Sequence, residues 1–459
     1  MGTTIGIGNY IGSSTDSGFS WSSYCTPLDL DIVQITGGNR LIWDIDEKCT
    51  AANGIELWVS VDGAPFGLLA VLDITVSSYD DLDSDGDLIS YKARTYKSTA
   101  YTEFSEEATL ARVGVNKSGI LSTETWESYQ DVHITDNITI GNGVVLTVNA
   151  GCRVYCAADK QVSVSGTGQI IMEGTADLNI LYTAESTTRG NIVFASMGAA
   201  SNSTFKHVIF EKGLKTGSYG AAIDTDFSGV VIENCIFRNN TAAYGGAIFV
   251  RKDMAITILR SIFHTNIATV SGGGVYCWDG ADPIVRNCLF YNNTSQGAVN
   301  THGGGGLAIQ TSTTDMVIEV LNNTFVNNVS NGTFAWGKGH DIFLYGASRI
   351  TGVLANNLLW GASTSRITSP TSSSVLKTNN AIMDDGTGTN PINLNSDNNH
   401  AAGPNFNNVA ELDFSLKAVS PCIDTGLNSV AGGTIPETDI LGNPRSGDYK
   451  DRGCFEYQQ

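Results

Sequence analysis

Two aspartates, Asp224 and Asp226, stand two positions apart in the run Ile223-Asp224-Thr225-Asp226, and the run Arg251-Lys252-Asp253 follows one repeat later. In an extended strand residues i and i+2 share a face, so the two carboxylates would lie together and like-charge coupling would raise the pKa of one of them. Paired carboxylates, or a carboxylate beside a basic group, are what cleavage of a sugar chain requires. Asp224, Asp226, Arg251 and Asp253 are therefore the candidate catalytic residues, with Asp279 in an adjacent repeat. An aspartate that follows a strand is more often a turn residue, and for this group that is the stronger reading.

The same stretch spaces its aromatic rings regularly. If Ile223, Ile248, Val275, Leu307 and Ile342 point inward, period two sends Asp224, Phe249, Tyr276, Ala308 and Phe343 outward in one column. Asp226, Arg251, Trp278, Gln310 and Tyr345 form the next. Rings cover sugar faces while polar groups bond hydroxyls, so Phe249, Tyr276, Trp278, Phe343 and Tyr345 are the candidate carbohydrate-binding residues. The competing and heavier expectation is packing, under the C-terminal tail or between the chains of a trimer. No metal site is expected. Asp81-Leu82-Asp83-Ser84-Asp85-Gly86-Asp87 is spaced like a calcium loop but lacks its closing Glu. The Asn-x-Ser/Thr triplets, such as Asn292-Asn293-Thr294, follow from bend chemistry. No cofactor motif is present.

These residues sit in a repeat. Lys206-His207-Val208-Ile209-Phe210, Glu233-Asn234-Cys235-Ile236-Phe237, Arg260-Ser261-Ile262-Phe263, Arg286-Asn287-Cys288-Leu289-Phe290 and Asn322-Asn323-Thr324-Phe325 share one register, with Asn356-Asn357-Leu358-Leu359-Trp360 a degenerate sixth member. The Phe positions are 27, 26, 27 and 35 residues apart, and Leu359 lies 34 beyond the last. An Asn-rich corner, a glycine pair or run and a second apolar strand complete each unit. A period in this range built from short alternating apolar runs means a solenoid whose units must stack. The alternation excludes helical repeats, leaving a parallel β-solenoid with like residues about 4.8 Å apart along the axis. Phe210, Phe237, Phe263, Phe290 and Phe325 are expected in one internal stack, with the corner amides in ladders.

Composition agrees, with 51 Gly, 9 Pro and 16% charged residues. The net charge of −20 and the absence of any basic cluster exclude a nucleic-acid partner. No apolar run approaches membrane-spanning length, so no membrane insertion is expected. The start, Met1-Gly2-Thr3-Thr4-Ile5-Gly6, lacks a basic segment and a long apolar core, so it is not read as a secretory signal. Nine cysteines do not suggest a disulfide framework. Cys235, Cys277 and Cys288 read as small core residues, and in Cys152/Cys156 and Cys422/Cys454 a bridge is the lesser alternative.

Residues 1–27 read as a leader or attachment arm, 28–112 as a β-sandwich, 113–126 as a linker, 127–410 as the solenoid and 411–459 as a capping tail. The strands around Leu41-Ile42-Trp43, Ile55-Glu56-Leu57-Trp58-Val59, Leu68-Leu69-Ala70-Val71 and Tyr91-Lys92-Ala93-Arg94 resemble fibronectin type III domains, with Trp43 as the core tryptophan and Ile89 where that family places its corner tyrosine. From Ile138-Thr139-Ile140 through Asn179-Ile180-Leu181-Tyr182 the chain resembles the opening coils of right-handed parallel β-helix proteins. With the tail motifs Ser420-Pro421-Cys422-Ile423-Asp424, Gly442-Asn443-Pro444-Arg445 and Asp451-Arg452-Gly453-Cys454-Phe455-Glu456-Tyr457, it resembles the choice-of-anchor Q group of pectate-lyase-like β-helices. The opening Ile5-Gly6-Ile7-Gly8-Asn9-Tyr10 and Trp21-Ser22-Ser23-Tyr24 are similar to the first residues of virion proteins of Bacteroidetes phages. That likeness implies a virion protein, a tail spike, fibre or capsid-surface component. Its N-terminal segment would hold other virion proteins, and its β-helix would meet host surface polysaccharide without cleaving it, as a homotrimer or alone. The alternatives are a polysaccharide lyase or glycoside hydrolase, and a bacterial adhesin located outside the cell or on its surface.

Overall fold

The computed structural model describes residues 27–35, 38–45, 49, 52–81, 88–176, 178–195, 202–226, 229–251, 253–299, 301–331, 339–346, 349–361, 366–368, 374–382, 392–393, 403–445 and 449–458. Residues 1–26 of the expected leader and most of the acidic run, 82–87, lie outside them. The chain divides into two compact units, Met1–Arg112 and Val113–Gln459.

The first unit is a small β-sandwich. Leu28–Ile35, Gly38–Asp44 and Ser78–Asp81 form one antiparallel sheet; Gly54–Val61, Gly67–Asp73, Leu88–Lys97, Ala100–Tyr101 and Ala108–Ala111 form the other. Alternation along these strands buries Leu41, Trp43, Ile55, Leu57, Ile89, Tyr91 and Ala93. The buried tyrosine stands at Tyr91, two residues beyond Ile89 on the same strand face. Its hydroxyl donates to Asp81 Oδ2 at 2.8 Å and accepts from Asn39 Nδ2 at 3.0 Å. Asp81 is thus spent inside the sandwich, as a buried phenol demands. Cys49 is disulfide-bonded, a bridge at a cysteine that the sequence did not single out.

The second unit is a parallel β-solenoid with three long sheets and a shorter five-stranded one. One runs from Glu124–Trp126 and Val145–Asn149 through Val230–Glu233 and Ala255–Leu259 to Ser374–Thr378, ten strands in all. The second begins on Gln130–Ile140 and passes through Val208–Glu211, Ile236–Arg238, Ile262–His264, Leu289–Tyr291, Thr324–Val326 and Leu358–Trp360. The third starts on the C-terminal half of that first long strand and includes Ile192–Ala195, Ile223–Thr225, Ile248–Val250, Val275–Trp278, Leu307–Gln310 and Ile342–Tyr345. The segment expected as a linker, 113–126, is part of the solenoid. Val113–Ile120 pairs in parallel with Gln130–Ile140, and Glu124–Trp126 with Val145–Asn149.

Each coil places Phe in register with Phe. Phe210, Phe237, Phe263, Phe290 and Phe325 are fully buried and stacked, with successive centroids 4.9, 4.7, 4.7 and 4.7 Å apart and ring planes within 11°. Leu359 follows in the same column.

The Asn doublets divide their labour. The first member turns the corner in the left-handed region, as at Asn239, Asn292, Asn327, Asn322, Asn356 and Asn379, with φ between 52° and 55°. Asn tolerates that region better than other side-chain-bearing residues. The second member points inward into a ladder: Asn240 Nδ2 donates to Asn266 Oδ1, Asn266 to Asn293, and Asn293 to Asn328, at 2.9–3.0 Å. Such a ladder has an acceptor at one end and a donor at the other. Arg189 Nη2 donates to Asn240 Oδ1 at 3.2 Å at the first end. At the second, Asn328 Nδ2 donates to Asp341 Oδ1 at 2.9 Å, and buried Arg366 clamps that carboxylate with Nε on Oδ2 at 2.5 Å. Burial pushes the Asp341 carboxyl up and Arg366 opposes it.

Among the described residues, the tail expected as a cap packs along the flank of the solenoid. Phe406, Phe414, Leu416, Cys422, Ile440 and Cys454 bury against Leu289, Tyr291, Val326, Leu358 and Ala381. Corner residues bind it: Asn287 Nδ2 donates to the Thr438 carbonyl, Asn322 Nδ2 to that of Asp451, and Asn356 Nδ2 to that of Leu427. Cys152, Cys156, Cys235, Cys277, Cys288, Cys422 and Cys454 are free thiols.

Candidate functional site

The third sheet behaves as its alternation predicts. Ile223, Ile248, Val275, Leu307 and Ile342 are fully buried in the solenoid core, and the residue after each points the other way. The bend before each strand is made by Gly220, Gly245, Gly272, Gly304 and Gly339, all with φ between 43° and 71°. A Cβ at Gly220 or Gly245 would collide with the carbonyl oxygen three residues on, so the glycine column sets the path that delivers the outward rings.

Those outward rings form a second apolar cluster, separate from the core: Phe249, Tyr276, Ala308 and Phe343, with Tyr219, Tyr244 and Tyr345 packed on it. Phe249 stacks on Tyr276 at 5.4 Å, and Phe343 lies parallel to Tyr345 at 6.0 Å. The expected open strip needs correction. Phe249, Tyr276 and Phe343 are 1%, 3% and 0% exposed, while Trp278 is 38% exposed. The cover comes from Tyr219 and Tyr244, whose strands Leu214–Tyr219 and Thr241–Tyr244 belong to a five-stranded parallel sheet lying, within each coil, between the second and third sheets. Tyr219 sits 4.4 Å from Phe249, and Tyr244 meets Tyr276 edge to face at 5.2 Å. Among the described residues no tail residue joins this cluster. The missed signal was present: Tyr219 and Tyr244 each directly precede a bend glycine and pair with one another in register.

What remains open is a cleft of about 240 Å³ lined by Tyr219, Tyr244, Phe249, Tyr276, Trp278, Thr301, His302 and Gln310. The Tyr276 hydroxyl donates to Gln310 Oε1 at 2.8 Å, which leaves the two N–H donors of the Gln310 amide outside that bond. Burial pushes the Tyr276 phenol well above its ordinary range, pushes Tyr244 up with help from Tyr219, and pulls the His302 imidazole down. The cleft is aromatic, with a few convergent polar groups, the composition of a small-molecule site.

Of the candidate catalytic residues, the structure brings Asp224 and Arg251 together. Asp224 is buried and both its oxygens face one guanidinium: Arg251 Nε donates to Oδ1 at 2.9 Å and Nη2 to Oδ2 at 2.5 Å. Burial raises the Asp224 pKa, Arg251 opposes the rise and the Asp226 charge adds to it. The guanidinium carbon of Arg251 also lies 4.9 Å from the Tyr219 ring, so the ion pair is packed against the cleft wall. Asp253 is an exposed turn residue with φ 60°. Asp279 holds the following coil's turn. Burial disfavours its charge, but the Thr313 hydroxyl and the backbone N–H groups of Thr313, Ser312 and Thr314 outweigh burial and hold it far below the usual carboxylate range. Among the described residues no group of His, Cys, Asp or Glu is arranged to hold a metal ion, and no helix is long and apolar enough to cross a membrane.

Comparisons with known proteins address the fold. A fibronectin-like (Fn3-like) protein from Clostridium thermocellum aligns at 23% identity over 18% of this chain and 86% of its own, with a TM-score of 0.16. Pectate lyase PelI of Erwinia chrysanthemi, solved with tetragalacturonic acid, aligns at 12% identity over 70% of this chain and 85% of its own, with a TM-score of 0.19. A pectate lyase of Pectobacterium carotovorum aligns at 11% identity over 70% and 86%, with a TM-score of 0.17. Metabotropic glutamate receptor-like protein R of Dictyostelium discoideum is 28% identical over 81 residues, 18% of this chain, and this chain spans 5% of that protein's length. Residues 199–348 match the family described as the right handed beta helix region, and together with the parallel sheets this makes the chain a right-handed parallel β-helix preceded by a small β-sandwich.

Proposed function

We propose that the protein is a non-catalytic carbohydrate-binding β-helix protein, and that it meets the surface polysaccharide of a host cell as a component of a phage virion. The cleft beside the third sheet carries the binding part of this reading. Five aromatic residues and three polar ones converge there, and Trp278 presents the largest open ring. The non-catalytic part is supported by Asp224, each of whose oxygens accepts one hydrogen bond from Arg251. A carboxylate tied to a guanidinium through both oxygens is a weaker base than it would be without that cation. The virion setting is supported by the likeness of the opening residues to phage virion proteins. There the N-terminal segment would attach to other virion proteins, and the β-helix would stand outward alone or as a trimer.

The test is binding of the full chain to an array of cell-surface polysaccharides, in parallel with Trp278→Ala and with an assay for released oligosaccharides. The reading expects binding that Trp278→Ala weakens and no released product. Product release abolished by Asp226→Asn would replace it with an enzyme. Mass spectrometry of purified phage particles tests the setting separately, and absence of the chain from them would remove the virion.

A further inference from the structure

The chemistry of the cleft selects among sugars. Resting on the carbohydrate reading above, we infer that its ligand is an uncharged sugar ring, a neutral hexose or N-acetylhexosamine unit, and not a uronate or a sialate.

Among the described residues, the lining includes no Lys, Arg, Asp or Glu. Arg251, a cation packed on the wall at Tyr219, is committed through both Nε and Nη2 to Asp224 and so presents a neutral pair to a ligand. Burial pulls His302 toward its neutral form. A carboxylate entering such a site would lose water and meet no countercharge, which is the expensive way to bury an anion. The net charge of −20 adds long-range repulsion. A neutral ring pays neither cost: its C–H face lies on Trp278, and its hydroxyls find the Gln310 amide N–H groups and the Thr301 hydroxyl. At about 240 Å³ the cleft falls below the roughly 300–1,000 Å³ typical of sites that enclose drug-sized ligands. It therefore takes a terminal or single exposed ring rather than the interior of a long chain.

The test uses the full chain and two sets of probes, followed by saturation-transfer NMR and calorimetry. The neutral set is the methyl glycosides of glucose, galactose, mannose and N-acetylglucosamine. The acidic set is galacturonate, glucuronate, N-acetylneuraminate and tetragalacturonate. At least one neutral glycoside should bind at least roughly tenfold more tightly than any acid. Trp278→Ala should remove most of that affinity, and Gln310→Lys, which places a cation in the cleft, should raise affinity for the acids. An acid that binds more tightly than the neutral sugars, and is lost in Trp278→Ala, overturns this inference while leaving the carbohydrate reading intact. Sugar binding indifferent to both substitutions, or no binding by either set, overturns both together. Thermal transitions of the two variants close to that of the parent chain exclude misfolding as the cause of any loss.

Discussion

The division of labour within the Asn doublets can be tested at one of them. Asn293 is fully buried, and its side chain makes four hydrogen bonds. Nδ2 donates to the Phe263 carbonyl at 2.8 Å and to Asn328 Oδ1 at 2.9 Å, while Oδ1 accepts from the backbone N–H and the Nδ2 of Asn266 at 3.1 and 2.9 Å. Asn293→Ala removes all four. At about 1 kcal/mol net per bond, plus the cost of the buried groups left unsatisfied, the loss is on the order of 4–6 kcal/mol. Its neighbour Asn292 is exposed and contributes a left-handed corner with φ 54°. Asn292→Gly adopts that corner freely and should cost about 1 kcal/mol or less. Repeat arrays do not unfold in a strictly two-state manner. The assay is therefore chemical denaturation of the full chain together with hydrogen exchange resolved by coil. The Ala variant should lose protection in the coils around Phe263, Phe290 and Phe325, and the Gly variant should not. Equal losses from the two substitutions would refute the assignment of ladder and corner roles.

Three further expectations concern other parts of the molecule. Arg366→Met leaves the Asp341 carboxylate buried without its cation and should cost about 3–5 kcal/mol, whereas Arg366→Met with Asp341→Asn should recover part of that loss in a double-mutant cycle by denaturation. His264 lies stacked on Tyr291 at 4.7 Å, and burial, with help from Arg238, depresses its pKa from 6.5 to about 4. A folded-state pKa below the unfolded value means stability that is present above pH 6.5 and falls as pH drops toward 4. His264→Phe keeps the stack and should flatten denaturation midpoints across that window. A fragment beginning at Val113 should fold and melt cooperatively, while one beginning at residue 127 loses the strand that pairs with Gln130–Ile140 and should melt at lower temperature.

The fold was legible because every coil repeats its chemistry. The Phe column, the glycine bends and the Asn doublets state register and corner in each unit, and stacking requires like residues to meet. The first coil was not legible, since Val113–Ile120 carries neither Phe nor an Asn doublet. Without them it reads as a linker. The path of the tail was not legible for a related reason: Asn287, Asn322 and Asn356 serve as corners in the repeat, and nothing in the repeat says that their amides also bind a returning segment. The site was half legible. Period two separated the outward rings from the core, but exposure depends on neighbours from another strand of the coil, and Tyr219 and Tyr244 close over Phe249 and Tyr276. The Asp224–Arg251 pair joins residues one coil apart, whereas the carboxylate pair inferred from spacing lies within a single strand.

Carbohydrate binding at the Trp278 cleft is tested most directly by a crystal structure of the full chain. The crystals would be soaked with oligosaccharides from whichever polysaccharide it binds on the array. The account predicts a sugar ring lying against Trp278, with hydroxyls bonded to Gln310 or Thr301. A sugar bound on another face of the β-helix, or a cleft left empty when the ligand is saturating, would contradict it.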